Sequence, residues 1–102
     1  GIHGGAVETA LMMHLCPTAV QLEHLQSFTS FGERLEEEGF VISPTGPTAF
    51  AWLSGDLNSN GAIGDATLAN AELGRQLTAY YGHFLATVIR DAHRFPISQL
   101  LK

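Results

Sequence analysis

His3, two glycines and then Glu8-Thr9 place an imidazole and a carboxylate five residues apart at the head of an apolar segment. An imidazole titrates near neutrality, so it can carry a proton to or from a reacting group. Glycines beside it let the backbone pass close to a ligand, and a helix N-terminus just after favours negative charge nearby. A first-turn glutamate is also what the helix dipole favours with no chemistry at all. Residue types alone leave both readings of Glu8 open. The other histidines, His14, His24, His83 and His93, fall in helical or near-helical stretches and read as structural or solvated.

Most other chemistries lack their residues. There is no HExxH or CxxC, no GxGxxG after a strand and no GxSxG, and no Lys-Ser/Thr follows the glycines around His3. The one cysteine, Cys16, excludes an internal disulfide and fits a reducing, cytoplasmic compartment. Its apolar surroundings predict a buried small hydrophobe, not a nucleophile. A net charge of -5, with only five scattered Lys and Arg, argues against nucleic acid. The longest uncharged run, Gly39 to Gly55, is broken by prolines and turn residues and cannot be a membrane span. Charged residues make up 15% of the chain, against about 25% in ordinary soluble proteins. A surface so poor in charge fits a piece that buries much of itself against a partner.

These residues must be held by a small set of elements. One hundred and two residues allow one domain, 1–102. The spacing of Val7, Ala10, Leu11 and His14 predicts a helix over 6–15, stopped at Cys16-Pro17. Residues 18–27 carry a weak helical period with Thr18 as a possible cap. "GERLEEEG" predicts a polar helical turn closed by Gly39. "FVISPTG" and "TAFAWLSG" read as two extended segments around a turn, with Phe50 and Trp52 on one side and Ala49, Ala51 and Leu53 on the other. "GDLNSNGAIGD" reads as a loop. Asp65 is expected to cap a long helix from Ala66 to about His93, followed by a tail to Lys102. That helix carries a stripe of Leu73, Leu77, Tyr80, Phe84 and Val88, widened by Tyr81, Leu85 and Ile89.

"HGGAVETALMMHLCP" resembles the creatininase (creatinine amidohydrolase) family pattern His-Ala-Gly-x-x-Glu-Thr-Ser, followed by an apolar helix and a proline. His3, Gly5, Glu8, Thr9, Leu11, Met12 and Pro17 fall on it. Some fifty residues on, "FAWLSGDLNSNGAIGDATLANAELG" is similar to a second family stretch. There Phe50, Trp52, Asp56, Leu57, Gly61, Gly64, Asp65, Ala69, Glu72 and Gly74 match. The chain departs from the pattern at Gly1, where an acidic residue is usual, and at Gly4, Ala6, Ala10 and Ala66.

The resemblance implies an α/β fold, namely the C-terminal part of a creatininase-like α/β/α sandwich with a long last helix. It implies hydrolysis of a C–N amide bond in a small cyclic or formylated substrate when the fold is complete. Two divalent metals, zinc or manganese, would serve that reaction, with most of their ligands in an N-terminal half whose motifs this sequence lacks. By the same resemblance His3 is the proton carrier for the departing nitrogen, and Glu8 a catalytic residue facing the metals or binding one. Trp52 is expected to pack rather than touch substrate. The chain alone is expected to hold no metal, to be inactive and to form a homo-oligomer. The alternative is a non-catalytic remnant that survives as a small oligomer with no metal site.

Overall fold

The computed structural model describes residues 1–101; Lys102, the end of the expected tail, lies outside the described residues. Helix α1, Ala6–Leu15, has the bounds that the apolar spacing predicts. Its last amide bond runs from Cys16 N–H to the Met12 carbonyl at 2.8 Å, and Pro17 prevents continuation. Cys16 is exposed, correcting the expectation of burial, because it sits past the last helical turn and not on the packed face.

The ambiguous stretch 18–27 is no helix. Two 3-10 turns, Pro17–Ala19 and Leu22–His24, carry the chain to a two-residue strand β1, Ser27–Phe28. Helix α2, Phe31–Glu37, follows with a capping box: Ser30 Oγ accepts from Gly32 N–H at 2.9 Å, and Glu33 reaches back to the Ser30 amide at 3.2 Å. Gly39, at φ +84°, ends it in the left-handed region.

Residues 40–53 form no strands, which corrects the two extended segments expected there. A single parallel bridge, Ser43 to Ala49, is all the ladder they make. Their carbonyls go instead to side chains: Thr48 Oγ1 donates to Val41 O at 2.7 Å and Trp52 Nε1 to Pro44 O at 2.7 Å. The two faces do alternate, with Phe50 and Trp52 half-buried and Ala49, Ala51 and Leu53 exposed. Trp52 is thus a packed residue tied to its own loop.

The expected loop 55–65 contains a helical turn, α3, Ser54–Leu57, and strand β2, Gly64–Asp65. Strand β2 pairs antiparallel with β1, Ser27 opposite Asp65 and Phe28 opposite Gly64. Asp65 caps only a 3-10 turn, Ala66–Leu68, accepting from Thr67 N–H at 3.0 Å. The long helix α4 runs from Ala71 to Arg94, and its cap is Asn70, whose Oδ1 accepts from Leu73 N–H at 2.8 Å. Both residues are good caps. Asn70 wins because it is the one directly followed by an unbroken helical run.

Among the described residues the class is mixed, mostly helical with one two-stranded sheet; it is compatible with α/β, while the sandwich itself is not seen there. The core is small: Ala10, Leu35, Leu57, Ile63 and Ala66. Helix α1 crosses the start of α4 at Gly74, where an added Cβ would lie 1.9 Å from the Ala10 carbonyl oxygen. Beyond that crossing, α4 projects away. The radius of gyration is 18.1 Å, against about 13 Å for a compact chain of this length. No helix among the described residues is long and apolar enough to cross a membrane.

Candidate functional site

Two short segments meet to place His3. Its amide donates to the Ile63 carbonyl at 3.1 Å, and Ile63 N–H donates to the His3 carbonyl at 2.7 Å. Ile63 is 1% exposed, so the backbone under His3 is anchored to the most buried large side chain of the protein. Gly4 then turns the chain at φ +65°, a conformation any side chain would strain, and Gly5 caps α1. Gly5 and Gly64 pack backbone to backbone: a Cβ on Gly64 would sit 2.9 Å from Gly5 Cα and 2.7 Å from Gly1 Cα. Glycine is needed there for approach. Gly1 belongs to the same contact, with 3.0 Å from its hypothetical Cβ to Gly5, Gly64 and the Ile63 carbonyl. A larger, acidic residue at position 1 would need the backbone to shift.

The Gly4 turn brings His3 and Glu8 together. His3 Nδ1 lies 3.8 Å from Glu8 Oε1, within ion-pair reach and longer than a hydrogen bond, with both side chains slightly over half exposed. The other oxygen, Glu8 Oε2, accepts the Gly4 amide, and Thr9 Oγ1 reaches the Gly4 carbonyl at 3.4 Å. Glu8 therefore makes two contacts at once. One oxygen serves the helix start and the turn; the other faces the imidazole. With Nδ1 turned to the carboxylate, Nε2 is the nitrogen left to exchange a proton with a bound group.

The second motif supplies scaffold for the first. Asp56 Oδ2 accepts the Leu53 amide at 2.8 Å and caps α3, and Leu57 is buried. Asn58 ties the loop to β1, its Nδ2 donating to Thr29 O at 2.9 Å and its Oδ1 accepting from Asn60 N–H at 2.9 Å. Gly61, at φ +78°, completes the turn that delivers Ile63 beneath His3. Glu72 is held in a two-pronged pair with Arg75, at 2.6 and 2.9 Å, on exposed helix surface. Hydrogen bonds from Arg75 and then Gln76 hold its carboxyl down at about 2. That carboxylate is committed to its own helix.

His14 lies on the α1–α4 seam, where its Cβ would be 2.9 Å from a Cβ on Gly74. His24 sits 3.9 Å from Glu23 on an exposed turn. Neither joins His3 and Glu8. Among the described residues no three His, Cys, Asp or Glu side chains converge on one point. A metal ion ordinarily takes three or four protein ligands, so His3 and Glu8 do not fit one by themselves. Sequence reasoning missed Gly1, Gly5 and Gly64 as one backbone contact, since residue types do not say which glycines touch.

No curated protein and no solved structure matches the chain. A family model does: Creatininase, described as creatinine amidohydrolase, matches residues 1–89. That span holds both motifs, the turn that joins His3 to Glu8 and the helix crossing beneath it, and by it the chain belongs to the creatininase family, whose chemistry is amide hydrolysis.

Proposed function

We propose that this chain is the C-terminal, proton-transfer portion of an amidohydrolase that cleaves a C–N bond in a small cyclic or formylated amide. The observation that carries the reading is the His3–Glu8 pair, set 3.8 Å apart on a glycine-built turn at the surface. When water adds to the amide carbonyl, the departing nitrogen must gain a proton before the C–N bond breaks. His3 Nε2 gives it, and Glu8 stabilises the imidazolium and fixes Nδ1–H toward itself. In this reading Glu8 is a carboxylate partner of His3 first, since its second oxygen already accepts the Gly4 amide. The attacking water and its activation come from groups outside these residues, and a metal-ligating half would supply them. A single cysteine is the ground for placing the protein in the cytoplasm.

The test has two steps. Elemental analysis of the chain purified with zinc or manganese should give well under two equivalents, and two equivalents would overturn the partial-site reading. Small amides should be hydrolysed only when the metal-ligating half of a family member is added, with a rate that His3→Ala lowers at least 100-fold. A rate indifferent to His3→Ala would remove the proton-carrier role.

A second reading is favoured by the surface. The chain exposes 7555 Å², roughly a third more than a compact protein of its mass, and Tyr80, Phe84, Leu85 and Ile89 of α4 are each exposed by more than half. The surplus exceeds the ~800 Å² per partner that a standard dimer buries. A non-catalytic chain would cover this face with a second copy, as a two-fold dimer. Sedimentation at micromolar concentration should then show a dimer. A monomer that melts cooperatively would refute it.

A further inference from the structure

Beside the His3–Glu8 pair lies a groove that neither motif explains. After Pro17 the two 3-10 turns bring Val20, His24 and Leu25 to line, together with Glu8 and Met12, an open surface groove of about 300 Å³. Phe28 of β1 adds an aromatic residue to the lining. A larger hollow runs along the last turns of α4, but among the described residues its wall comes from that helix alone. The groove at α1 is lined by residues from several elements: α1, both 3-10 turns, β1 and Ala66. Its volume lies at the lower end of the range that small-molecule sites occupy.

The lining is divided. Met12, Val20, Leu25 and Phe28 supply its apolar lining, and Glu8 and His24 its ionisable residues. Glu8 thus borders both features: Oε1 faces His3 Nδ1, and the side chain lines the groove. A group held in the groove is therefore next to the residue that faces the proton carrier. In the reading above, His3 serves the nitrogen side of the scissile bond, so that side of the substrate is the one nearest the groove.

Resting on that reading, we infer that the groove is the subsite for the nitrogen-linked substituent, and that it selects amides carrying an apolar or aromatic group on nitrogen. Burying such a group against Met12, Val20, Leu25 and Phe28 supplies binding free energy that a bare amide lacks. A rigid apolar ring matches Met12, Val20, Leu25 and Phe28 better than a charged chain, whose desolvation against them would cost binding free energy.

The test uses N-benzylacetamide as probe and acetamide as its truncated control, followed through the methyl resonances of Met12, Val20 and Leu25. N-benzylacetamide should shift all three along one saturable curve, with acetamide binding at least tenfold more weakly. Ala19→Trp, a substitution at an exposed position on the groove wall, should weaken N-benzylacetamide at least tenfold. Equal affinity for the two probes, or no methyl shift with either, would overturn the inference without recourse to any variant. Binding needs no turnover, so a chain that binds N-benzylacetamide yet hydrolyses nothing even with the metal-ligating half added refutes only the catalytic reading. Hydrolysis without groove shifts refutes only the subsite.

Discussion

Helix α4 is one continuous element with two different fates. Its first turns, through Leu73, Gly74, Leu77 and Thr78, are buried or half-buried, and Gly74 meets α1. From Tyr80 onward nearly every residue is exposed, although Tyr80, Tyr81, Phe84, Leu85, Val88 and Ile89 are as apolar as anything before them. Tyr80 stacks on Phe84 at 6.4 Å and meets Tyr81 edge-on at 5.8 Å, so the exposed half packs mainly within itself. The same amphipathic stripe is core at one end and uncovered surface at the other. Periodicity states that a face is suited to burial; it does not supply the partner.

The largest expected effect breaks the packed half. Gly74→Val would drive its side chain into the Ala10 carbonyl, where even a Cβ would lie at 1.9 Å, and α1 would have to move off α4. A loss of about 3 kcal/mol or more in chemical denaturation is expected, at the upper end of overpacking costs. Because α1 also carries Glu8, the His3–Glu8 pair should separate with it. A Gly74→Val chain as stable as the original would mean that the crossing is not the main support of α1.

Next comes the start of the same helix. Asn70→Ala removes the acceptor for Leu73 N–H and should cost about 1 kcal/mol, read as a lower denaturation midpoint. Asp65→Ala, which touches only the short 3-10 turn, should cost less. The reverse order would restore Asp65 as the cap that matters.

The exposed half should respond in the opposite manner. Phe84→Ser in dilute monomer should change stability by no more than about 0.5 kcal/mol, as at other exposed positions. Were this face to pair two copies, the same substitution should abolish association at micromolar concentration. A large loss of stability in dilute solution would show that the face is already covered within one chain.

The smallest effect is electrostatic. The pairing with Arg75 holds the Glu72 carboxyl at about 2, below its ordinary 4.5, so its contribution is fully present above pH 4.5. It fades as the pH falls from there toward about 2, because the unfolded chain takes up the proton first. The pair is on exposed surface, so solvent screens it and the effect is small. Glu72→Gln should flatten this part of the acid stability curve and leave neutral pH nearly unchanged. An unchanged acid limb would mean that Glu72 and Arg75 do not hold their pairing in solution.

Local signals were read well from sequence. The bounds of α1 follow from its apolar spacing and from Cys16-Pro17, and α2 ends at Gly39 as its residue type requires. The stretch 40–53 was misread as two strands because alternating apolar residues look alike whether or not a neighbouring strand exists to pair with them. The start of α4 lies five residues beyond the expected one because two good caps, Asp65 and Asn70, stand close together. Residue type cannot choose between them; the turn at Ala66–Leu68 does.

The candidate site divides the same way. Sequence by itself singled out His3 and Glu8 as the candidate pair, with glycines around them and a family pattern running through both motifs. These are properties of residue type and spacing, fixed along the chain. Only the tertiary structure decided that Ile63 anchors His3, that Glu8 divides its two oxygens between Gly4 and the imidazole, and that the turns after Pro17 make a groove beside them. Each of those joins residues far apart in the chain or depends on the direction of a side chain. Contact at a distance is set by close packing, here by Gly74 on Ala10 and Gly64 on Gly5, and no local propensity encodes it.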